Sequence, residues 1–155
     1  MESLISSTHL HAMLIHFPIA LLLIGFLSEI TGLVTRKQFF SNAGLFLLLL
    51  GTAGAIAAYF SGEAAGEGME EGSFGQAVAL HEQAALFAMI SSVAAALVRL
   101  VSEFLKQRYV WLKVASVLVF ALAIAAITRT GYLGGQLVYK HAAGVELALP
   151  GLPGS

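Results

Sequence analysis

The stretch STHLHAMLIHFPIALLLIGF, residues 7–26, sets three histidines within eight positions, before and just into a long apolar run. That run (13–35) is at least as long as the ~20 apolar residues a helix needs to cross a bilayer. Three similar runs follow, at about 41–60, 80–101 and 110–128. The 155-residue chain is 58% apolar and 11% charged, with a mean hydropathy of +0.86. A soluble domain holds about 45–50% apolar and roughly 25% charged residues. Four such runs leave no room for a large soluble domain. The expectation is an all-α fold, one integral membrane domain over residues 1–155 forming an up-down four-helix bundle. A soluble helical protein with an all-buried core is the competing reading, and four runs of this length weigh against it.

Working outward from the first run, the charges give an orientation. Cytoplasmic loops retain an excess of Lys and Arg. Arg36 and Lys37 follow the first run, and Arg99, Lys106, Arg108 and Lys113 surround the connection between the third and fourth. Arg129 and Lys140 are left for the opposite face. Both termini and the second loop are therefore expected outside, on the periplasmic face of a bacterial inner membrane. Glu2, and no Lys or Arg, precedes the first run, which is too long for a cleaved signal segment. It is expected to remain as a span.

On that frame the remaining polar residues fall on one side. His9, His11 and His16 lie at the outer end of the first span, His81 and Glu82 begin the third, and His141 follows the fourth. Glu63, Glu67, Glu70 and Glu71 occupy SGEAAGEGMEEGSFGQ (61–76), so all five histidines and seven of the nine acids share a face. A solvated, glycine-loosened loop accounts for the acids, as does their favourable position near helix N-termini. Neither accounts for five histidines. A single boundary His is more often structural; five converging from three spans point to a metal or cofactor.

The spacing refines this. Pro18 early in the span suits a first helical turn. On one continuous helix His11 and His16 would stand about 140° apart, at ~100° per residue. They would then serve two centres, or His11 would lie on non-helical chain. In an up-down bundle the first and third spans are diagonal, so His16 and His81 are expected to approach across it, and bundle cores commonly host cofactors on facing helices. A planar haem between two imidazoles fits such a gap. His11 and His141 would form a second pair or cap the first.

TRTGYLGGQLVYKHAAGV (128–145) ends the fourth span. Gly131, Gly134 and Gly135 allow a flat ring or a backbone to approach closely, or else form a helix C-cap and turn. Arg129 would neutralise haem propionates or pair with Glu63 or Glu67. Tyr132 and Tyr139 suit the headgroup level. Glu29 in the first span and Arg99 in the third are expected to pair or to snorkel, since an unpaired charge in hydrocarbon costs a few kcal/mol. Small residues in GTAGAIAA, SSVAAAL and ALAIAAI mark helix–helix interfaces and argue against a wide channel.

The absence of cysteine excludes thiolate metal sites, c-type haem attachment and disulfides. There is no phosphate-cradling loop, nucleophile elbow, HExxH or dinucleotide fingerprint. No basic stripe suits nucleic acid.

HLHAMLIHFPIALLL, HEQAALFA and TGYLGGQLVYKHAAGV together resemble the bacterial four-span membrane proteins grouped as domain of unknown function 2231. In that family the first span typically opens with His-Pro and then His-Phe-Pro, the third with His-Glu, and the last leads into Gly-Tyr-Leu-Gly-Gly and Val-Tyr-basic-His. The resemblance covers nearly the whole chain and places the family's histidines on His11, His16, His81 and His141. Ala12 stands where Pro is usual and Ala142 where Gly commonly follows the last His. The resemblance implies the topology and this choice of histidines, and it supplies no activity.

The function expected is a membrane-anchored b-type haem protein for electron transfer, with haem b held among His16, His81, His11 and His141 and with Arg129 at its propionates. One alternative is a Zn, Cu or Fe ion held by those histidines with Glu63 and Glu67. Another is a non-redox accessory subunit with structural or pH-responsive histidines. More an electron carrier or subunit than a stand-alone enzyme, it would work with the lipid bilayer, other redox membrane subunits or a periplasmic electron carrier, or as a homo-oligomer.

Overall fold

The computed structural model describes residues 6–67, 69, 74–105 and 110–145, so Glu2, Glu70, Glu71, Lys106, Arg108 and Glu146 lie outside the described residues. Five helices follow in order: α1 (Ser7–Leu14), α2 (His16–Thr35), α3 (Gln38–Gly66), α4 (Gly75–Phe104) and α5 (Val110–His141). α1 and α2 together make the first span, and α3, α4 and α5 the others. All four are long and apolar enough to cross a membrane.

The first span is broken at Ile15 because Pro18 has no N–H for the Leu14 carbonyl and its ring crowds that carbonyl. Pro18 thus sits in the first turn of α2, as expected. The turn before it, expected as a boundary or non-helical chain, is a separate helix. Ser6 caps α1 by accepting the His9 N–H at 3.3 Å. At the kink His16 Nδ1–H donates to the Ala12 carbonyl at 2.7 Å.

Neighbours in sequence are neighbours in space. α2 lies along α3 and α4 along α5, α3 bridges to α4, and α2 meets α5 only thinly. The first and third spans are therefore diagonal, as are the second and fourth. Along the first seam, contacts keep one antiparallel register: Gly32 against Ser41, Gly25 against Leu48, Leu22 against Gly51 and His11 against Gly62 are pairs whose numbers each add to 73. The glycines permit this approach; a Cβ on Gly32 would come within 2.8 Å of the Ser41 nitrogen.

The interior is small and the surface large. Ala88, Ala95, Ala96, Ala123 and Ala126 are buried with Ser91 and Ser92, while Leu27, Phe46, Leu97 and Leu118 face outward. Water would oppose that arrangement and lipid favours it, since helices associate there by close packing of small residues. Phe26 and Phe120, edge to face at 5.3 Å, bridge α2 and α5 near mid-height.

At the end away from the chain termini, Arg99 is bound on three sides. Its Nε lies 3.4 Å from the Glu29 carboxylate, Nη1 donates to Glu103 Oε2 at 2.8 Å, and Nη2 donates to Ser41 Oγ at 2.8 Å. Arg99 and Glu29 are each 3% exposed, so the expected pairing holds and snorkelling does not occur. Gly44 leaves the space the Glu29 carboxylate fills.

At the terminal end the helices outrun the apolar runs. α5, 32 residues and about 48 Å long, exceeds the ~30 Å hydrocarbon thickness and continues through the stretch expected to end it. It stops at Ala142, which takes the left-handed conformation (φ 51°), and Ala143 N–H reaches back to the Leu137 carbonyl. Gly131, Gly134 and Gly135 are therefore helix interior, not a C-cap. The following turn brings Gly144 (φ 74°) against Thr8 of α1.

Candidate functional site

Where the helices outrun the apolar runs, the thin seam between α2 and α5 opens into a cavity of about 620 Å³. Its size lies in the ordinary range for a bound small molecule. The walls are mainly apolar: Ile15 and Ile19 on one side, Ala55, Ala58 and Ala65 behind, and Ile127 and Val138 on the other. Into this chamber project His11 of α1 and His81 of α4, their ring centroids 6.5 Å apart and their planes at 82°.

Each ring is seated on a glycine. A Cβ on Gly62 of α3 would stand 2.9 Å from His11 Cε1, and one on Gly134 of α5 would stand 3.0 Å from His81 Cε1. The two imidazoles differ in what holds them. Ser61 Oγ donates its proton to the Ala58 carbonyl at 3.0 Å, so it accepts from His11 Nδ1–H, also at 3.0 Å. That arrangement assigns the proton of His11 to Nδ1 and leaves Nε2 with a lone pair. His81 Nδ1 is buried and has no hydrogen-bond partner among the described residues. Buried polar atoms are nearly always bonded, and one left unsatisfied costs about 1–3 kcal/mol.

α5 supplies the opposite wall. Gly131, Gly134, Gly135 and Val138 follow one helical face, at spacings of three, four and seven residues. Among the described residues, a Cβ on Gly131 or Gly135 would meet nothing within 4 Å. Glycine inside a helix costs roughly 0.5–1 kcal/mol relative to alanine, and protein packing gives no reason for these two.

The structure sorts the expected site residues. His9, His11, His16, Glu63 and His81 all line the cavity. The ring across from His81 is His11 rather than His16, because the kink at Ile15 gives α1 its own helical phase. Glu63 accepts a hydrogen bond from the Tyr59 hydroxyl at 3.0 Å, and Glu67, exposed, closes α3. His141 ends α5 stacked on Phe74, with centroids 5.9 Å apart, and Arg129 lines a separate groove between α4 and α5. Neither is part of the cavity wall. Among the described residues no three His, Asp or Glu side chains converge as a metal cluster.

Ser61 and Gly62 are site residues with little outward sign in the sequence. Glu82 lines the cavity, its carboxylate in the space left by Gly66. The register shared by the Gly25, Gly32, Gly44 and Gly51 contacts would have put Gly62 opposite His11.

The family described as predicted membrane protein, DUF2231, matches residues 7–147, from the first turn of α1 to just past the cavity-capping turn. The chain belongs to this family. The match takes in all four spans, both imidazoles and the α5 glycines, so the cavity lies wholly within the family's region. No curated protein and no solved structure matches the chain.

Proposed function

We propose that this protein is a membrane-anchored b-type haem protein that carries electrons at the periplasmic face of the bacterial inner membrane, its haem held between His11 and His81. The observation that carries the reading is the imidazole pair itself: two histidines from diagonal spans, their rings 6.5 Å apart at one apolar cavity, with Ser61 accepting from His11 Nδ1–H.

The number of ligands favours haem over a bare ion. A protein zinc site takes at least three side-chain donors, and no such trio converges among the described residues. Haem brings the equatorial ligands and asks the protein only for axial ones. Two imidazoles that would hold one haem must stand near each other at one cavity. The observed spacing is 6.5 Å. The Ser61 contact to His11 is the kind of outer partner that orients a ligating histidine. The α5 glycine face would accept the flat macrocycle.

Bound there, haem would supply a one-electron couple suited to electron transfer, with His11 and His81 as the residues that would hold it. The chain's own part is to hold both imidazoles, to orient His11 through Ser61 and to surround the group with apolar wall. Arg129 and His141 fall outside this set. The periplasmic placement rests on Arg36, Lys37, Arg99 and Lys113 at the far end, against Arg129 and Lys140 at the terminal one.

The test is cofactor content. Protein purified from haem-replete cells should contain about one haem b per chain, with the low-spin electron paramagnetic resonance signal of bis-imidazole ligation. Protein carrying zinc or copper and no haem overturns the reading. Orientation is checked separately in this cysteine-free chain. A single cysteine at Thr8 should react with a membrane-impermeant maleimide in intact spheroplasts, and one at Lys37 should not.

A further inference from the structure

Arg129 is left without a role by the cavity, and its surroundings assign it one. Ile127 and Gly131 face the histidines; Arg129, two residues from each, points about 160° away around an uninterrupted helix. It lines a second hollow, of about 220 Å³, between α4 and α5. Leu80, Gln83, Ala84 and Phe87 of α4 form one wall at i, i+3, i+4 and i+7, and Ala126 and Arg129 of α5 form the other. Buried Ala84 and Ala126 make the floor, where small side chains let the two helices approach; Leu80 and Phe87 flank it, about half exposed.

The depth of this groove matters. Arg129 is nineteen residues, about 28 Å, from the start of α5 at Val110. Gln83 is twenty-one residues, about 32 Å, from the end of α4 at Phe104. Both distances match the ~30 Å hydrocarbon thickness. With the far ends of these helices at one boundary, the guanidinium and the amide sit at the other, where headgroups begin. Phe87, deeper on α4 than Gln83, continues the groove into the hydrocarbon.

Among the described residues no carboxylate pairs with Arg129. Glu63 and Glu82 line the histidine cavity, and Glu67 closes α3. An arginine with five donors matches a phosphate's oxygens, and Gln83 adds two amide donors beside it. We propose that the α4–α5 groove binds the phosphate of an anionic phospholipid, with Arg129 and Gln83 on the headgroup and an acyl chain along Phe87.

One net negative charge beside one arginine at a membrane surface corresponds to about a fivefold preference. Native mass spectrometry of the detergent-solubilised full chain, titrated with phosphatidylglycerol or phosphatidylcholine of identical acyl chains, reads this directly. Wild type should hold one phosphatidylglycerol about fivefold more tightly than phosphatidylcholine. Arg129→Ala should abolish the difference, Arg129→Lys should keep part of it, and Gln83→Ala should narrow it. Excess inorganic phosphate should leave lipid binding unchanged. If phosphate displaces the lipid, a free anion is what the site recognises and the proposal falls. It falls equally if wild type shows no preference, or if Arg129→Ala retains it. Arg129→Gln serves should the alanine variant fail to fold. The groove faces away from the histidines, so the result is independent of the haem reading.

Discussion

The same diagonal of this bundle, from the first span to the third, is crossed twice by polar side chains, and the two crossings are built in opposite ways. At the far end Arg99 reaches Glu29, Ser41 and Glu103, with both members of the core pair 3% exposed and their hydrogen bonds made. At the terminal end His11 and His81 face one another over a cavity, and one buried nitrogen has no partner among the described residues. The first crossing is closed and satisfied. The second leaves room, a lone pair and an unmet hydrogen bond, each of which costs stability in the protein alone. The bundle satisfies a buried guanidinium on three sides yet leaves this imidazole nitrogen unmet among the described residues, and the proposed function places the haem at that end.

Substitutions that break this contrast should act in different currencies at the two ends. Arg99→Met leaves the Glu29 carboxylate buried and should destabilise by about 3–5 kcal/mol, read as unfolding in mixed micelles. Adding Glu29→Leu should restore most of the loss, because apolar replacement of a whole buried pair is often neutral. Failure of that rescue would mean the cluster does more than hold helices together. At the other end Ser61→Ala removes the acceptor that orients His11. It should weaken haem affinity about 10–100-fold, as loss of an outer partner of a ligand does, with little change in the unfolding of haem-free protein.

The α5 glycines sharpen the comparison further. Gly131→Ala should stabilise the haem-free protein by roughly 0.5–1 kcal/mol, since its Cβ meets nothing. The bulkier Gly135→Leu should block haem uptake while the fold persists. Equal haem content in Gly135→Leu and wild type would remove α5 from the site. Ala142→Gly, at a left-handed position just after the histidines' last helix, should add about 1 kcal/mol of stability. It should leave haem content unchanged, because His141 and Ala142 stand outside the cavity.

These contrasts trace back unevenly to the sequence. The four spans and the Glu29–Arg99 pair were legible, since long apolar runs have one use and two lone opposite charges within them have few others. That a histidine of the first span would approach His81 was legible as topology, but the expected partner was His16 and the structure has His11. Pro18 resets the helical phase at Ile15, so spacing counted along one regular helix misassigns the partner. The reach of α5 was hidden for a similar reason: TRTGYLGG carries turn-forming composition, yet Gly134 packs against His81 and the segment runs on as helix. Once α5 is known to be continuous, helical phase alone turns Arg129 away from the cavity, against the propionate role expected of it. The φ of 51° at Ala142 is one that Gly adopts without strain, which suits the Gly the resembling family commonly has there.

The central claim, that His11 and His81 together hold a haem, is tested most directly by one absorption spectrum, oxidised and then reduced with dithionite, of protein from haem-replete cells. Wild type should show a Soret band that shifts and sharpens on reduction, and His11→Ala and His81→Ala should each abolish it or shift it strongly while remaining folded. A colourless wild-type preparation, or a Soret band unchanged in both variants, would contradict it.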